Sequence, residues 1–320
     1  MRILVTGGAG FIGSHLVDRL ISEGNTVRVL DNLSTGRISN LDSAQSSGLL
    51  AFIEGSILDA PLVDREVAQA DFIYHLAAAV GVFNILERPL ESLITNIKGT
   101  ENVLDAAYAN SRPVLIASSS EVYGKNISDS LGEDDSRILG SPLTLRWSYS
   151  QAKAIDETLA FAYWEEKKLP TRIVRFFNTV GPRQLGAYGM VVPRFVAAAL
   201  ADEEITIYGD GKQTRCFGHV ADIIEALVSV ANSENTIGTV VNIGNSEEIS
   251  IHDLAKKIIE ITGSKSKIVY VSYEDAYNSR FEDMERRVPN IERIRELTGW
   301  APTRNLETII KDMVEYLQIK

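Results

Sequence analysis

Cysteine is almost missing. A single one, Cys216, occurs in 320 residues, which excludes an intramolecular disulfide and a thiolate metal cluster and makes a reducing cytoplasm the expected location. Histidine is scarce: His15, His75, His219 and His252 are the whole set. None stand at metal-ligand spacing, so no metal site is expected. Pro, Gly or charge cuts every apolar stretch short of a membrane span, so no membrane partner is expected. Residues 2–6 already read as a strand, so no leader is expected either. Basic side chains are in deficit, 32 against 43 acidic, for a formal net charge of −11. Such a balance excludes nucleic acid as the expected partner. If the protein handles phosphates, it must gather positive charge locally.

What is present is globular in composition, 45% apolar and 23% charged, and long enough for two domains or one large core with a smaller lobe. Short β-branched runs at 2–6, 26–30, 50–53, 72–76, 113–117 and 171–176 alternate with helix-periodic segments such as 12–22, 90–109 and 149–166. Continuously apolar strands alternating with helices predict a Rossmann-type α/β fold, a doubly wound parallel sheet buried on both faces. After Asn178 the rhythm changes. A Gly/Pro-rich stretch, 180–188, precedes a helix at 193–201, a strand at 205–208, a turn at 209–211, a helix at 221–231 and a strand at 239–243. We therefore expect a dinucleotide-binding domain over 1–177, joined by 219–245, and a smaller C-terminal α/β substrate lobe within 178–320, largely helical and ending in a helix at 306–319. Ligands of such sheets sit beyond the strand carboxyl ends where the order reverses.

The segment Thr6-Gly-Gly-Ala-Gly-Phe-Ile-Gly13 joins the first strand to the first helix. Gly7 permits a tight turn, Gly10 lets backbone approach a pyrophosphate, and Gly13 allows helix and strand to pack closely, with the phosphates on the positive helix end. A lone glycine triplet is a weak signal, but here it has the right strand before it, the right helix after it, and Asp31 at the end of the second strand. Asp31 is expected to accept hydrogen bonds from the adenosine ribose and to repel a 2′-phosphate, which selects NAD over NADP. Arg37, close enough to meet such a phosphate, argues mildly the other way.

Tyr149 and Lys153 are spaced i, i+4 and share a helix face. Taken alone the pattern is common on solvated helices. Beside a cofactor loop it has a chemical purpose, because an ammonium and a positive nicotinamide ring lower a phenol's pKa toward phenolate. Ser118-Ser-Ser120 ends another strand and offers a hydroxyl to share the substrate proton.

Together, Thr6–Gly13, Ser119, Tyr149-Ser-Gln-Ala-Lys153, Arg175-Phe-Phe-Asn178 and Gly209-Asp-Gly-Lys-Gln-Thr-Arg215 resemble the extended short-chain dehydrogenase/reductase family, in its nucleotide-sugar epimerase/dehydratase/decarboxylase branch. The resemblance covers nearly the whole chain. It implies Tyr149 as general base, Lys153 as its pKa modulator and ribose contact, and Ser119 as hydroxyl partner. It implies Gly7, Gly10, Phe11, Ile12, Gly13, Asp31, Asn32, Ile57, Ala77 and Ala78 around NAD, the last two in the His75-Leu-Ala-Ala78 element. In Gly55-Ser-Ile-Leu-Asp59, Ser56 replaces the family's usual adenine-side acid. Ser120, Asn178, Tyr208, Arg215 and Arg280 are implied to hold the nucleotide sugar, a UDP-sugar first. A homodimer through helices near 90–109 and 149–166 is implied as well.

The shared first step of that branch is oxidation of the sugar at C4. Glu121, in Ser120-Glu-Val-Tyr-Gly124, resembles the glutamate of dehydratases and uronate decarboxylases, where a carboxylate handles a proton after C4 oxidation. Arg146-Trp-Ser-Tyr149 and Phe281-Glu-Asp-Met-Glu-Arg-Arg-Val-Pro289 resemble decarboxylase segments. The order of expectation is UDP-hexuronate decarboxylase, then UDP-sugar 4-epimerase, then nucleotide-sugar 4,6-dehydratase. A non-catalytic NAD-binding sensor stands last, since such proteins typically lose the tyrosine or lysine.

Overall fold

The structure, a computed structural model, describes residues 1–81, 87–186, 190–272, 284 and 286–319. At its centre is a seven-stranded sheet. Its strands are β1 (Arg2–Thr6), β2 (Thr26–Asp31), β3 (Leu50–Glu54), β4 (Phe72–His75), β5 (Val114–Ser119), β6 (Thr171–Phe176) and, outside β6, Val240–Ile243. They lie in the order β3, β2, β1, β4, β5, β6, Val240–Ile243, and every neighbouring pair is parallel. This is the expected doubly wound α/β sheet, with strand ends displaced from the sequence reading by a residue or two.

Helices cover both faces, which is why the central strands are apolar without alternation. All four residues of β4 are buried. On one face Leu16, Val17 and Leu20 of helix Phe11–Ser22 share a core with Val5, Val29, Ile223 and Leu227. On the other, Val103 and Leu104 of helix Pro89–Ala109 pack with Leu4, Ile73 and Ile116. Cutting one such Leu or Ile back to Ala costs about 2–5 kcal/mol. Helix Val220–Asn232 contributes Ile223 and Leu227 to the first core, so the chain returns to the sheet after its excursion.

A third core, with Phe195, Ile207, Leu254, Ile258, Ile309 and Met313, organises the C-terminal part. Helices Val191–Leu200, Ile251–Thr262 and Leu306–Gln318 supply most of it. This part is less purely helical than expected. Ile205–Tyr208 pairs in parallel with Ile268–Val271, Thr214–Cys216 pairs antiparallel with Glu248–Ser250, and Thr179–Val180 pairs with Gly218–His219.

The sheet order reverses between β1 and β4. Loop 7–13 leaves the carboxyl end of β1, Leu76 to Ala78 leave β4, and Ser120 follows β5. Three chain segments with chemistry on them therefore meet at one edge, where such sheets bind ligands.

Candidate active site

The glycine loop is built for close approach. Gly7 has φ +73°, in the left-handed region, and a Cβ there would lie 2.7 Å from the Ala77 amide nitrogen. A Cβ on Gly13 would lie 2.2 Å from the Gly7 carbonyl oxygen. Gly10 is the N-cap of helix Phe11–Ser22 and has no side chain to bond the first-turn N–H groups, which are left to an anion. This cradle fits a dinucleotide pyrophosphate. Phe11 and Ile12 are partly buried against the core, with the Phe11 ring edge-on to His15 at 6.0 Å.

Asp31 has a role that the motif did not announce. Its Oδ2 accepts from the Ala9 N–H at 2.9 Å and its Oδ1 from the Leu33 N–H at 2.8 Å. The carboxylate thus ties the glycine loop to the end of β2. Burial raises its pKa, and the bonds from Leu33 and Ala9 pull it part of the way back. Asn32 Oδ1 accepts from the Ser34 N–H at 3.1 Å and shapes the same turn. Arg37 is held to the loop through its own N–H, which donates to the Ala9 carbonyl at 3.0 Å. Ile57 is buried, and its carbonyl accepts from Asn102 at 2.9 Å. Ser56 bonds the Leu58 N–H, and Asp59 caps helix Ala60–Ala68 by accepting from Leu62. Both are thereby accounted for by local structure. The Ala77 N–H donates to Thr6 Oγ1 at 3.3 Å, and Ala78 follows it, half-buried.

Tyr149 and Lys153 lie on helix Ser148–Lys167, one turn apart. Lys153 Nζ donates to the Ala117 carbonyl of β5 and to Asp156 Oδ2, each at 3.0 Å. Two of its three N–H donors are so engaged. Burial opposes the ammonium charge, but Asp156 and Tyr149 reverse this, and the Lys153 pKa is raised. Tyr149 is half-buried and hydrogen-bonded with Ser119. Its pKa is raised, by burial first; Lys153 pulls it down while Glu121 and Asp156 push it up. The expected lowering of this phenol is therefore not achieved by the protein groups alone. Lys153 works against two carboxylates.

Ser119 caps the turn Ser120–Tyr123, its Oγ accepting from the Glu121 N–H at 3.2 Å. That turn delivers Glu121 to two arginines. Arg146 donates from Nη1 to Oε2 at 2.6 Å and from Nη2 to Oε1 at 3.0 Å, a two-pronged pair. Arg287 donates from Nη2 to Glu121 Oε1 and from Nη1 to Ser120 Oγ, each at 3.0 Å. Side-chain exposure is 5% for Arg146, 6% for Arg287 and 17% for Glu121. Burial alone would raise the Glu121 pKa, but Arg287 and Arg146 hold it far below the usual carboxylate range. Arg146 also lies 5.4 Å from the Trp147 ring centroid, a cation–π contact. Two guanidinium groups are thus gathered next to the Ser119–Tyr149 pair, with the Glu121 carboxylate between them.

The remaining expected residues are more dispersed. Asn178, with φ +26°, donates from its amide to the Cys216 carbonyl at 2.9 Å and so joins the end of β6 to the second lobe. Arg215, on strand Thr214–Cys216, donates to the Thr214 carbonyl at 2.7 Å. Tyr208 stacks under the Arg194 guanidinium at 4.5 Å. It lines a cavity of about 540 Å³ with Arg37, Arg194 and Tyr316, which none of Ser119, Tyr149 and Lys153 reaches. Arg280 lies outside the described residues. Among the described residues no cluster of His, Cys, Asp or Glu could hold a metal ion, and no helix is long and apolar enough to cross a membrane. Sequence reading quoted Arg146 and Arg287 within the segments 146–149 and 281–289 without naming either as a site residue, and it passed over Asp156. Asp156 was visible at i+3 from Lys153, but the contact of Arg287 with Glu121 spans 166 residues.

A parallel sheet with a glycine loop after β1 at its switch point and a Ser/Tyr/Lys group at the end of β5, two strands along, defines an NAD-dependent oxidoreductive class. A family model described as GDP-mannose 4,6 dehydratase matches residues 4–313, and the chain belongs to that family. It is an NAD-dependent nucleotide-sugar enzyme of the extended short-chain dehydrogenase/reductase type. A UDP-N-acetyl-alpha-D-glucosaminuronate decarboxylase of Bacillus cytotoxicus is 40% identical over 318 residues, covering 99% of this chain and 98% of the relative. UDP-glucuronic acid decarboxylase 1 of Xenopus tropicalis is 35% identical over 317 residues, 99% of this chain and 72% of that one. The structure of UDP-glucuronic acid 4-epimerase from Bacillus cereus, in complex with UDP-glucuronic acid and NAD, superposes with a TM-score of 0.90 at 29% identity, covering 100% of this chain and 99% of that one.

Proposed function

We propose that this protein is a UDP-hexuronate decarboxylase acting on a UDP-glucuronate-type sugar through a 4-keto intermediate. The observation that carries this reading is the pair of buried arginines, Arg146 and Arg287, gathered on Ser120 and Glu121 beside Tyr149. Two decarboxylase relatives, both acting on uronates by name, agree with it.

Bound NAD would supply reversible oxidation at the sugar C4; once C4 is a ketone, the C5–C6 bond can break with loss of CO2, its electron pair forming a C4–C5 enolate that takes a proton from water at C5 before the ketone is reduced again. The chain's own residues do the rest. Tyr149 takes the C4 hydroxyl proton, Ser119 shares it, and Lys153 stabilises the phenolate with its third donor turned to the ribose. The glycine loop, with Phe11, Ile12, Asn32, Ile57, Ala77 and Ala78, seats the dinucleotide, and Asp31 favours NAD. Arg287 and Ser120 attract the uronate carboxylate. Glu121, ionised between two guanidinium groups, is a weak base with no proton to give. Its best-supported role is to aim those guanidinium groups. Asn178, Tyr208, Arg215 and Arg280 serve the UDP portion.

Residues 1–177 with 219–245 make up the NAD-binding part in this reading, and the rest of 178–320 the substrate lobe. Exposed Leu90, Ile94 and Tyr108 on one helix and Ile155 and Phe161 on the other support a homodimer through these faces. The buried free thiol of Cys216 suits a reducing cytoplasm.

The test is turnover of a UDP-sugar panel followed by mass spectrometry and sugar NMR. Release of CO2 from a UDP-hexuronate supports the reading. The second reading, a 4-epimerase, is favoured by the Bacillus cereus structure and is recognised by unchanged mass with C4 inverted. Loss of water indicates a dehydratase, and no reaction a sensor; any of these three overturns the decarboxylase.

A further inference from the structure

Lys153 carries its charge where charge is costly. Its side chain is 2% exposed, and that of Asp156, its partner, is 0% exposed. Polar groups from several elements face the pair. Tyr149 and Glu157 lie on the same helix, the Ala117 carbonyl comes from β5, and His75 ends β4. Thr100 approaches from helix Pro89–Ala109, and Glu121, on the turn after β5, faces Tyr149. His75 is bonded to Thr6 at 2.8 Å and to Thr100 at 3.1 Å. A buried polar row thus runs from the residue before Gly7 toward Asp156. Burial raises the Asp156 pKa, and Lys153 first and Thr100 after it pull it part of the way back toward the ionised carboxylate; its Oδ1 has no hydrogen-bond partner.

Stability gives little reason for this arrangement. A buried ion pair is often no better than apolar packing of the same volume, and here one carboxylate oxygen goes unbonded. Chemistry gives a better one. A desolvated lysine loses its proton easily, and a neutral amine cannot stabilise a phenolate. Glu157 is no substitute counter-ion, since Arg175 holds it at 2.7 and 2.9 Å.

We propose that Asp156 is a positioning residue: its carboxylate keeps Lys153 an ammonium ion and fixes its place, so that Tyr149 is the member of the pair that gives up its proton. The proposal rests on the reading of Tyr149 and Lys153 as the catalytic pair. Removing the carboxylate takes a negative charge away from both groups. Lys153 then loses its proton at lower pH, and Tyr149, which Asp156 also pushes up, ionises at lower pH. Both limbs of the pH–rate profile move toward acid.

The experiment compares kcat against pH for the NAD-loaded wild type, Asp156→Asn and Asp156→Glu, with UDP-glucuronate as the probe. Asp156→Asn is expected to move the alkaline limb down by about one pH unit or more, and Asp156→Glu to restore most of it. The acid-limb shift, which belongs to Tyr149, is read without turnover from tyrosinate absorbance, as the difference between each protein and its Tyr149→Phe counterpart. Limbs that superpose on the wild type, with turnover lowered uniformly, assign Asp156 to packing and overturn the proposal. So does failure of both Asp156→Asn and Asp156→Ser to fold. Tyr149→Phe and Lys153→Met, run alongside, keep the two ideas apart. If they retain turnover, the catalytic pair was misassigned; if they lose it while Asp156→Asn keeps wild-type limbs, only the role of Asp156 fails.

Discussion

Replacing Glu121 with Gln removes one negative charge from between two guanidinium groups and changes almost no volume. The contacts at stake are 2.6 and 3.0 Å to Arg146 and 3.0 Å to Arg287. At an effective dielectric of about 20, each charge pair at ~4 Å is worth about 4 kcal/mol, so the gross attraction is roughly 8 kcal/mol. Desolvation has already offset much of this, and deleting one partner of a buried pair typically costs about 3–5 kcal/mol. Gln keeps one acceptor oxygen and Glu121 is 17% exposed, so the low end, about 3 kcal/mol, is expected. For a chain of this size that corresponds to a fall in Tm of roughly 4–5 °C. Urea and thermal unfolding measure it. The cycle with Arg287→Gln separates the pair from its surroundings, and a coupling of about 1.5 kcal/mol or more is expected between the two sites. A Glu121→Gln protein within about 0.5 kcal/mol of the wild type, or strictly additive variants, would refute the account of Glu121 as the anchor of two buried cations. Single turnover at low temperature adds a second check. If Glu121 itself moves a proton after C4 oxidation, NADH absorbance outruns product in Glu121→Gln. If it only aims the arginines, affinity for UDP-glucuronate falls and no NADH accumulates.

Tyr149→Phe is expected to leave UDP-sugar binding nearly intact and to lower turnover by ~10²–10⁴-fold, the usual worth of a positioned acid–base group; a variant keeping a third of wild-type turnover would remove Tyr149 from the mechanism. Asp31 should make NAD bind at least about tenfold tighter than NADP, roughly 1.4 kcal/mol, and equal affinities in a titration of both dinucleotides would contradict that. His75 is pushed down to about 3, by burial first and Lys153 second, whereas in the unfolded chain it titrates near 6.5. The unfolded state therefore binds the extra proton, and stability present above about pH 6.5 is lost toward pH 3 at up to ~1.4 kcal/mol per unit from this group. Urea midpoints against pH should show a flatter acid slope for His75→Gln, and an unchanged slope would show that His75 is not held neutral.

The features legible in the linear chain were those whose causes are local. Loop 7–13 could be read because the left-handed φ of Gly7 and the 2.2 Å approach at Gly13 are demands made by neighbours a few residues away. Tyr149 and Lys153 could be paired because a helix turns every 3.6 residues. The strands of the sheet stood out because burial on both faces removes polar alternation. Helix Ile251–Thr262 was passed over although its ends are marked, Ser250 capping by accepting from Asp253 and Gly263 closing with φ +65°.

Other properties depend on which distant groups meet. Glu121 read as a proton carrier from its resemblance to the glutamate of dehydratases and decarboxylases, and the arginine that helps to make it an anchor arrives from 166 residues away. Tyr149 read as a phenol lowered by Lys153, yet Glu121 and Asp156 oppose that lowering. Asp31 read as a ribose acceptor, and folding also made it the tie between β2 and the glycine loop. Backbone conformation and periodicity are set by residues close in the chain, so the sequence by itself determined the sheet, the glycine loop and the Tyr149–Lys153 spacing. Proton affinity and charge balance are sums over every group within a few ångströms, whatever its position in the chain, and only the tertiary structure decided those.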